Sequence, residues 1–277
     1  MSTSDQTPRA ASDAAVTAAA DRLFLAFETA KPCAPVRDLI GPDDASAAYR
    51  VQERLVARRL AAGAEIVGRK IGATSEAVQA QPGVGRPTFG VLLDDMAHAS
   101  GDVIPLDRLI QPKVQAEVAF VLAEDLADGP LDDAQVRASI AYAVAALEIV
   151  DSRILNWDIS FADTVADNAS CGLFVLGDEP CTLAEVDPAA VRMSMMIDGE
   201  EASTGAGADC LGDPVHAAAL LAREAHRFGR PLRSGQVVLS GALGPVRMAH
   251  AGAHVEATIT GLGSVSAHLG ARLRAVR

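Results

Sequence analysis

Aromatic residues are scarce in this chain of 277 residues: one Trp, two Tyr and seven Phe, 4% in all, against 49% hydrophobic. Its core must therefore be assembled from aliphatic side chains and alanine. Cysteine is nearly as sparse. Cys33, Cys171, Cys181 and Cys210 form no C-x-x-C pair, which removes zinc-ribbon and thioredoxin-type chemistry. A chain this large does not need disulfides, so reduced, mostly buried thiols are expected. The six histidines show neither H-x-H nor H-E-x-x-H spacing, and no G-x-G-x-x-G is present. Basic residues are outnumbered, 24 to 36, giving a formal net charge of -12. That balance argues against nucleic acid and against an anionic membrane surface as partners. No apolar run approaches the roughly 18 residues that a membrane-spanning helix needs. Residues 1–9 lack a basic segment followed by an apolar one. A cytoplasmic protein is the expectation.

What is present is ordered in two textures. After a polar tail (1–11), Ser12 is placed to cap a helix reaching Thr29, with Val16, Ala20, Leu23, Phe24 and Phe27 at helical spacing. A second helix is expected between Asp44 and Gly63. From 64 onward, short apolar runs alternate with Gly and Pro turns. Strands are expected at 65–71, 90–93, 114–122, 147–150, 172–176, 192–197, 236–240, 254–260 and 265–269. Residues 134–146 read as a helix feeding the strand at 147, and 214–228 as a second clear helix. Gly205-Ala206-Gly207 reads as a turn or a close backbone approach. The fold class is α+β: a small helical N-terminal segment (12–63), then a β-rich domain with a few helices (64–277). Irregular alternation argues against a doubly wound sheet.

One strand carries the most telling pattern. In Val114-Gln115-Ala116-Glu117-Val118-Ala119-Phe120-Val121, side chains alternate between faces, so Gln115 and Glu117 share one. Residues two apart lie about 6.5 Å apart along a strand, close enough for their oxygens to converge on one ion. Two readings stay open on this segment alone: a half-solvated strand, or an ion site. Glu148 is another lone carboxylate in an apolar run, Ala145-Ala146-Leu147-Glu148-Ile149-Val150. Lys70 lies between Gly68 and Gly72. Asp94 and Asp95 follow Gly90-Val91-Leu92-Leu93, and two acids, an amide and two hydroxyls crowd residues 163–170. An all-oxygen donor set suits Mg²⁺ or Mn²⁺ over zinc.

Taken in order, Lys70-Ile71-Gly72-Ala73-Thr74-Ser75, Phe89-Gly90-Val91-Leu92-Leu93-Asp94-Asp95-Met96, Gln111-Pro112-Lys113-Val114-Gln115-Ala116-Glu117, Leu147-Glu148-Ile149-Val150-Asp151-Ser152-Arg153-Ile154, the stretch 163–170 and Ser203-Thr204-Gly205-Ala206-Gly207 resemble the 2-keto-4-pentenoate hydratases of the fumarylacetoacetate-hydrolase superfamily. The resemblance spans roughly residues 12 to 270. It implies the superfamily's mixed β-roll, or sandwich. It also implies a divalent cation, Mg²⁺ or Mn²⁺, held at Gln115, Glu117 and Glu148, with Gln115 standing where the family pattern has Glu. Lys70 and Asp94 would be catalytic, and Ser75, Asp163, Asn168 and Ser170 would hold substrate or water. The implied reaction adds water to 2-hydroxypenta-2,4-dienoate, through the 2-oxo-3-enoate, in the breakdown of aromatic compounds. A homo-oligomer is implied, which could associate with a related decarboxylase. Three alternatives accompany it: a decarboxylase of 2-oxo-3-enedioates, a hydrolase of acylpyruvates, for which no suitable histidine is evident, and a non-catalytic partner subunit with weakened metal binding.

Overall fold

The computed structural model describes residues 11–74 and 86–270. Helix α1 (Asp13–Thr29) is capped by Ser12, whose Oγ accepts from Ala15 N at 3.2 Å. A short α2 (Arg37–Ile40), absent from the sequence reading, precedes α3 (Ala45–Ala61), which Asp44 caps through Ala47 N. Hairpin strands β1 (Ile66–Gly72) and β2 (Thr88–Leu93) open the β-rich part. Strands β3 (Ala97–Ala99), β4 (Val103–Ile104) and β5 (Lys113–Leu122) follow. Then come α4 (Asp133–Ser139), β6 (Ile140–Val150), α5 (Phe161–Ala166) and β7 (Cys171–Leu176). Strands β8 (Arg192–Ile197) and β9 (Glu200–Ala206) form a hairpin through Asp198 and Gly199, both at positive φ, as the tight turn between twisted strands requires. Helix α6 (Pro214–Arg227) and strands β10 (Val237–Ala242), β11 (Arg247–Met248), β12 (His254–Ile259) and β13 (Gly263–Leu269) complete the chain.

The strands form two mixed sheets. The larger has the order β2-β1-β10-β5-β6-β7-β3, with β11 also paired to β5; the smaller has the order β4-β13-β12-β8-β9. Strands β12 and β13 pack across β6, and β13 also reaches β7, so the two sheets enclose the main core. A second core joins α1, α2 and α3 to α5, through Val16, Leu23, Val51, Ile154 and Val165.

One expectation fails outright. Residues 140–146 belong to β6, not to a helix. Alanine favours helices only weakly, and packing overrides that preference. Ala143, Ala145 and Ala146 are wholly buried, where small side chains let a second sheet approach. The Gly205-Ala206-Gly207 reading holds as a close approach. A Cβ at Gly205 would lie 1.7 Å from Leu243 O, and one at Gly207 would lie 1.7 Å from Pro188 O.

Candidate metal and catalytic centre

Adjacent strands of the larger sheet bring four of the sequence candidates together. Gln115 and Glu148 are direct partners in the antiparallel β5–β6 ladder, and Glu117 lies two residues along the same face. Gln115 Nε2 donates to Glu117 Oε1 and to Glu148 Oε2, both at 2.8 Å. Lys70 enters from β1, with its Nζ 3.0 Å from Glu148 Oε1. This is a charge contact without hydrogen-bond alignment, so Oε1 has no hydrogen-bond donor. Lys70, Glu117 and Glu148 are buried, and Gln115, half-buried, is the most accessible of the four.

Burial sets the electrostatics here. It pushes the Glu117 carboxyl well above the usual carboxylate range, and the neighbouring Glu148 pushes it further; Lys70 and the Gly241 N–H oppose both. Burial draws the Lys70 ammonium the other way, towards neutrality. Glu148 and Glu117 outweigh it, and the Lys70 pKa rises above its ordinary value. Lys70 is therefore drawn towards its charged form and Glu117 towards its protonated one, the latter an effect that added positive charge would oppose.

Gly241 supplies the contact the sequence reading missed. The β10–β5 register shifts between Leu239 and Ala242, and within that irregularity the Gly241 N–H turns to Glu117 Oε2 at 2.8 Å. Its φ is +105°, and a Cβ there would come within 2.4 Å of Thr74 Oγ1. The signal was legible: a glycine inside a strand pattern, in Ser240-Gly241-Ala242, marks a bulge or a close approach.

The other candidates are placed differently. Asp94 is exposed at the far end of β2. It follows Leu93, which pairs with Ile66, four residues from Lys70 along β1 and so roughly 13 Å away at the rise of a strand. Its carboxylate accepts from Glu65 N, and that bond holds its pKa low. Asp94 is therefore not brought together with Lys70, Gln115, Glu117 and Glu148. Asp163 also stands apart from that grouping. Its Oδ1 accepts from Val36 N and Arg37 N, its Oδ2 from Ser160 N and Arg37 Nη1, all at 2.8–2.9 Å. All its bonds are structural, and together with Ser160 it forms a capping box on α5. Asn168 spends its amide on β2, accepting from Val91 N at 2.8 Å and donating to Val91 O at 2.9 Å. That clamp seats the turn 168–170 against the Lys70 stem, where a Cβ at Gly90 would meet both Asn168 O and Lys70 Cγ. Asn168 thereby shapes the wall beside Lys70. Ser170, on the same turn, is buried with an unpartnered hydroxyl, the pattern of a group that awaits a ligand or water. Ser75 lies outside the described residues.

The centre fits a hard dication. Among the described residues no three acidic, His or Cys side chains converge on one point. Two acids do, and the Gln115 amide makes a third oxygen-bearing arm. Glu148 Oε1, buried and facing the Lys70 ammonium without hydrogen-bond alignment, is an acceptor with spare capacity. Turning the Gln115 amide over would offer its carbonyl oxygen to the same point, and oxygen-only donors are the ligands Mg²⁺ and Mn²⁺ prefer.

The matched segment of the chain has relatives among known proteins. Residues 64–269 match the family described as fumarylacetoacetate (FAA) hydrolase C-terminal. The chain is 51% identical to the TodF product hydratase of Pseudomonas putida F1, over 91% of this chain and 94% of that one. It is 49% identical to the 2-keto-4-pentenoate hydratase of Burkholderia vietnamiensis G4, over 92% and 97%. Among solved structures, the 4-oxalocrotonate decarboxylase of Pseudomonas putida G7, complexed with magnesium and adipate, superposes with a TM-score of 0.89. It is 32% identical, over 94% of this chain and 99% of that one. With two glutamates and a lysine buried on one sheet face inside the matched segment, the chain belongs to the fumarylacetoacetate hydrolase family.

Proposed function

We propose that this protein is a divalent-cation-dependent hydro-lyase that hydrates 2-hydroxypenta-2,4-dienoate, or a close homologue, to a 4-hydroxy-2-oxo acid during aromatic-compound breakdown. The observation that carries the reading is the buried grouping of Lys70, Gln115, Glu117 and Glu148, in a chain about half identical to hydratases. Gln115, Glu117 and Glu148 would hold the cation, which supplies Lewis-acid polarisation of a bound 2-oxo acid.

The chain's own groups do the rest. The dienol is first converted to the 2-oxo-3-enoate, a proton moving from the 2-hydroxyl to C5. Water then adds at C4, and the enolate that forms takes a proton at C3. Negative charge thus collects on the 2-oxygen in the second step. Lys70, held as an ammonium in a buried setting, is suited to stabilise that charge, because a low dielectric strengthens the interaction. The Ser170 hydroxyl is suited to orient substrate or water. Glu148 keeps Lys70 aimed into the cluster.

The assay is consumption of 2-hydroxypenta-2,4-dienoate with Mg²⁺ or Mn²⁺, with the 4-hydroxy-2-oxo acid identified as product. Lys70→Ala should lower kcat/KM by at least about 100-fold. Unchanged turnover would remove Lys70 from the mechanism.

One observation favours a second reading, decarboxylation of a 2-oxo-3-enedioate. Lys113 shares the Gln115 face of β5, its ammonium 3.9 Å from the centre of the Trp157 ring, and it has no acidic partner among the described residues. A second substrate carboxylate could use such a cation. Release of CO₂ from the dienedioate, without hydration of the monoacid, would select that reading. A cytoplasmic homo-oligomer, associated with a decarboxylase, belongs to the same proposal; no helix among the described residues is long and apolar enough to cross a membrane.

A further inference from the structure

Gln115 points its amide nitrogen, not its oxygen, at the two glutamates. Both Nε2 protons are used, one on Glu117 Oε1 and one on Glu148 Oε2, each at 2.8 Å. The other carboxylate oxygens face the Gly241 N–H and the Lys70 ammonium. Each of the four acidic oxygens therefore meets the positive end of a neighbour, and Gln115 is the only one of those neighbours that bridges both acids. A cation approaching the same oxygens would meet the amide protons. An amide group is nearly symmetrical in shape, so half a turn about its last torsion exchanges N for O with little displacement.

We propose that Gln115 is a two-position clasp. With its nitrogen inward it ties Glu117 to Glu148; with its oxygen inward it serves as a cation ligand, and the two roles exclude each other. This rests on the reading that the centre binds a divalent cation. Cation binding must displace two hydrogen bonds, and the ligand gained is neutral, so affinity is lower than a third carboxylate would give. In return, the acid pair is held together without an ion. A glutamate at 115 cannot donate to its neighbours and would add a third carboxylate to a buried cluster. It would bind the ion tightly and depend on it.

The test compares wild type, Gln115→Glu and Gln115→Met, each in chelator and in a Mn²⁺ titration followed by calorimetry and thermal melting. In chelator both variants should melt lower than wild type, by at least about 2 °C for a chain of this size. With Mn²⁺, Gln115→Glu should bind at least about tenfold more tightly than wild type and show the larger rise in Tm, whereas Gln115→Met should bind more weakly. A Gln115→Glu protein that is unfolded in chelator and restored by Mn²⁺ supports the clasp. Either variant melting at or above wild type in chelator overturns it, because the amide protons would then hold nothing together. Mn²⁺ affinity unchanged in Gln115→Met also overturns it, as the carbonyl would be no ligand. None of these readouts uses a substrate. The expected pattern in a protein without dienoate turnover would end the hydratase reading and leave the clasp standing.

Discussion

Arg153 and Asp167 are a buried pair. Arg153 Nε lies 2.5 Å from Asp167 Oδ1, and its Nη1 donates to the carbonyls of Asp151 and Cys171, the residue that begins β7. The Asp167 carboxylate also accepts from Arg153 N and Ser152 Oγ. Burial nevertheless outweighs these partners and pushes the Asp167 pKa up to about 6. The folded protein then keeps a proton on Asp167 that the unfolded chain releases near pH 4. The sign follows: the stability from this group is complete below about pH 4 and is lost as pH rises through about 6. Asp167→Asn cannot titrate, so the stability of wild type relative to that variant should shrink by up to about 3 kcal/mol from pH 4 to pH 7. Denaturant titrations at several pH values measure it. A difference that grows with pH would mean that Arg153 holds the aspartate ionised.

At the scale of elements, the legible features were those that one strand or helix carries by itself. The helix cap at Ser12, the second helix between Asp44 and Gly63 and the shared face of Gln115 and Glu117 all follow from local spacing. What needs a second element was hidden. Nothing in residues 140–146 announces that a sheet will cover them, so their alanines read as helix. Asp94 and Asp163 look like site acids in sequence because both stand in motif segments, yet one ends a strand pointing into solvent and the other ties two helices. The β10 bulge shows how far pairing decides function, because only its displaced register aims the Gly241 N–H at Glu117. Gly241→Ala would force a Cβ onto Thr74 at a φ that non-glycine residues avoid. It should cost about 1–3 kcal/mol of stability and, by shifting the backbone N–H that donates to Glu117, weaken Mn²⁺ binding by about tenfold. Chemical denaturation and calorimetry report the two separately. Loss of stability with unchanged Mn²⁺ affinity would detach the bulge from the cation site.

Across the whole molecule, the helical N-terminal segment and the β-rich part are not independent bodies, since α5 lies beyond β6 in the chain but completes the core of α1, α2 and α3. Asp163 is the polar bolt of that junction. It is wholly buried, and its carboxylate takes backbone N–H groups from Val36 and Arg37 at the start of α2, 127 and 126 residues away in sequence, besides the Arg37 guanidinium. Asp163→Asn keeps the size but supplies only one acceptor oxygen. Its NH₂ would face a backbone N–H and a guanidinium, so two donors lose their acceptor inside a dry site. The cost should be roughly 2–4 kcal/mol, with α1–α3 loosened first and cleaved sooner by protease. Lys70, Glu117 and Glu148 are carried on β1, β5 and β6, whose pairings with β10 and with each other lie outside this junction. Well below its lowered Tm, the variant should therefore retain the KM for a 2-hydroxydienoate and keep kcat within a few-fold of wild type. A large rise in KM at full fold would return Asp163 to the substrate site. Unchanged KM with early release of the helices places its role in joining the two parts of the chain.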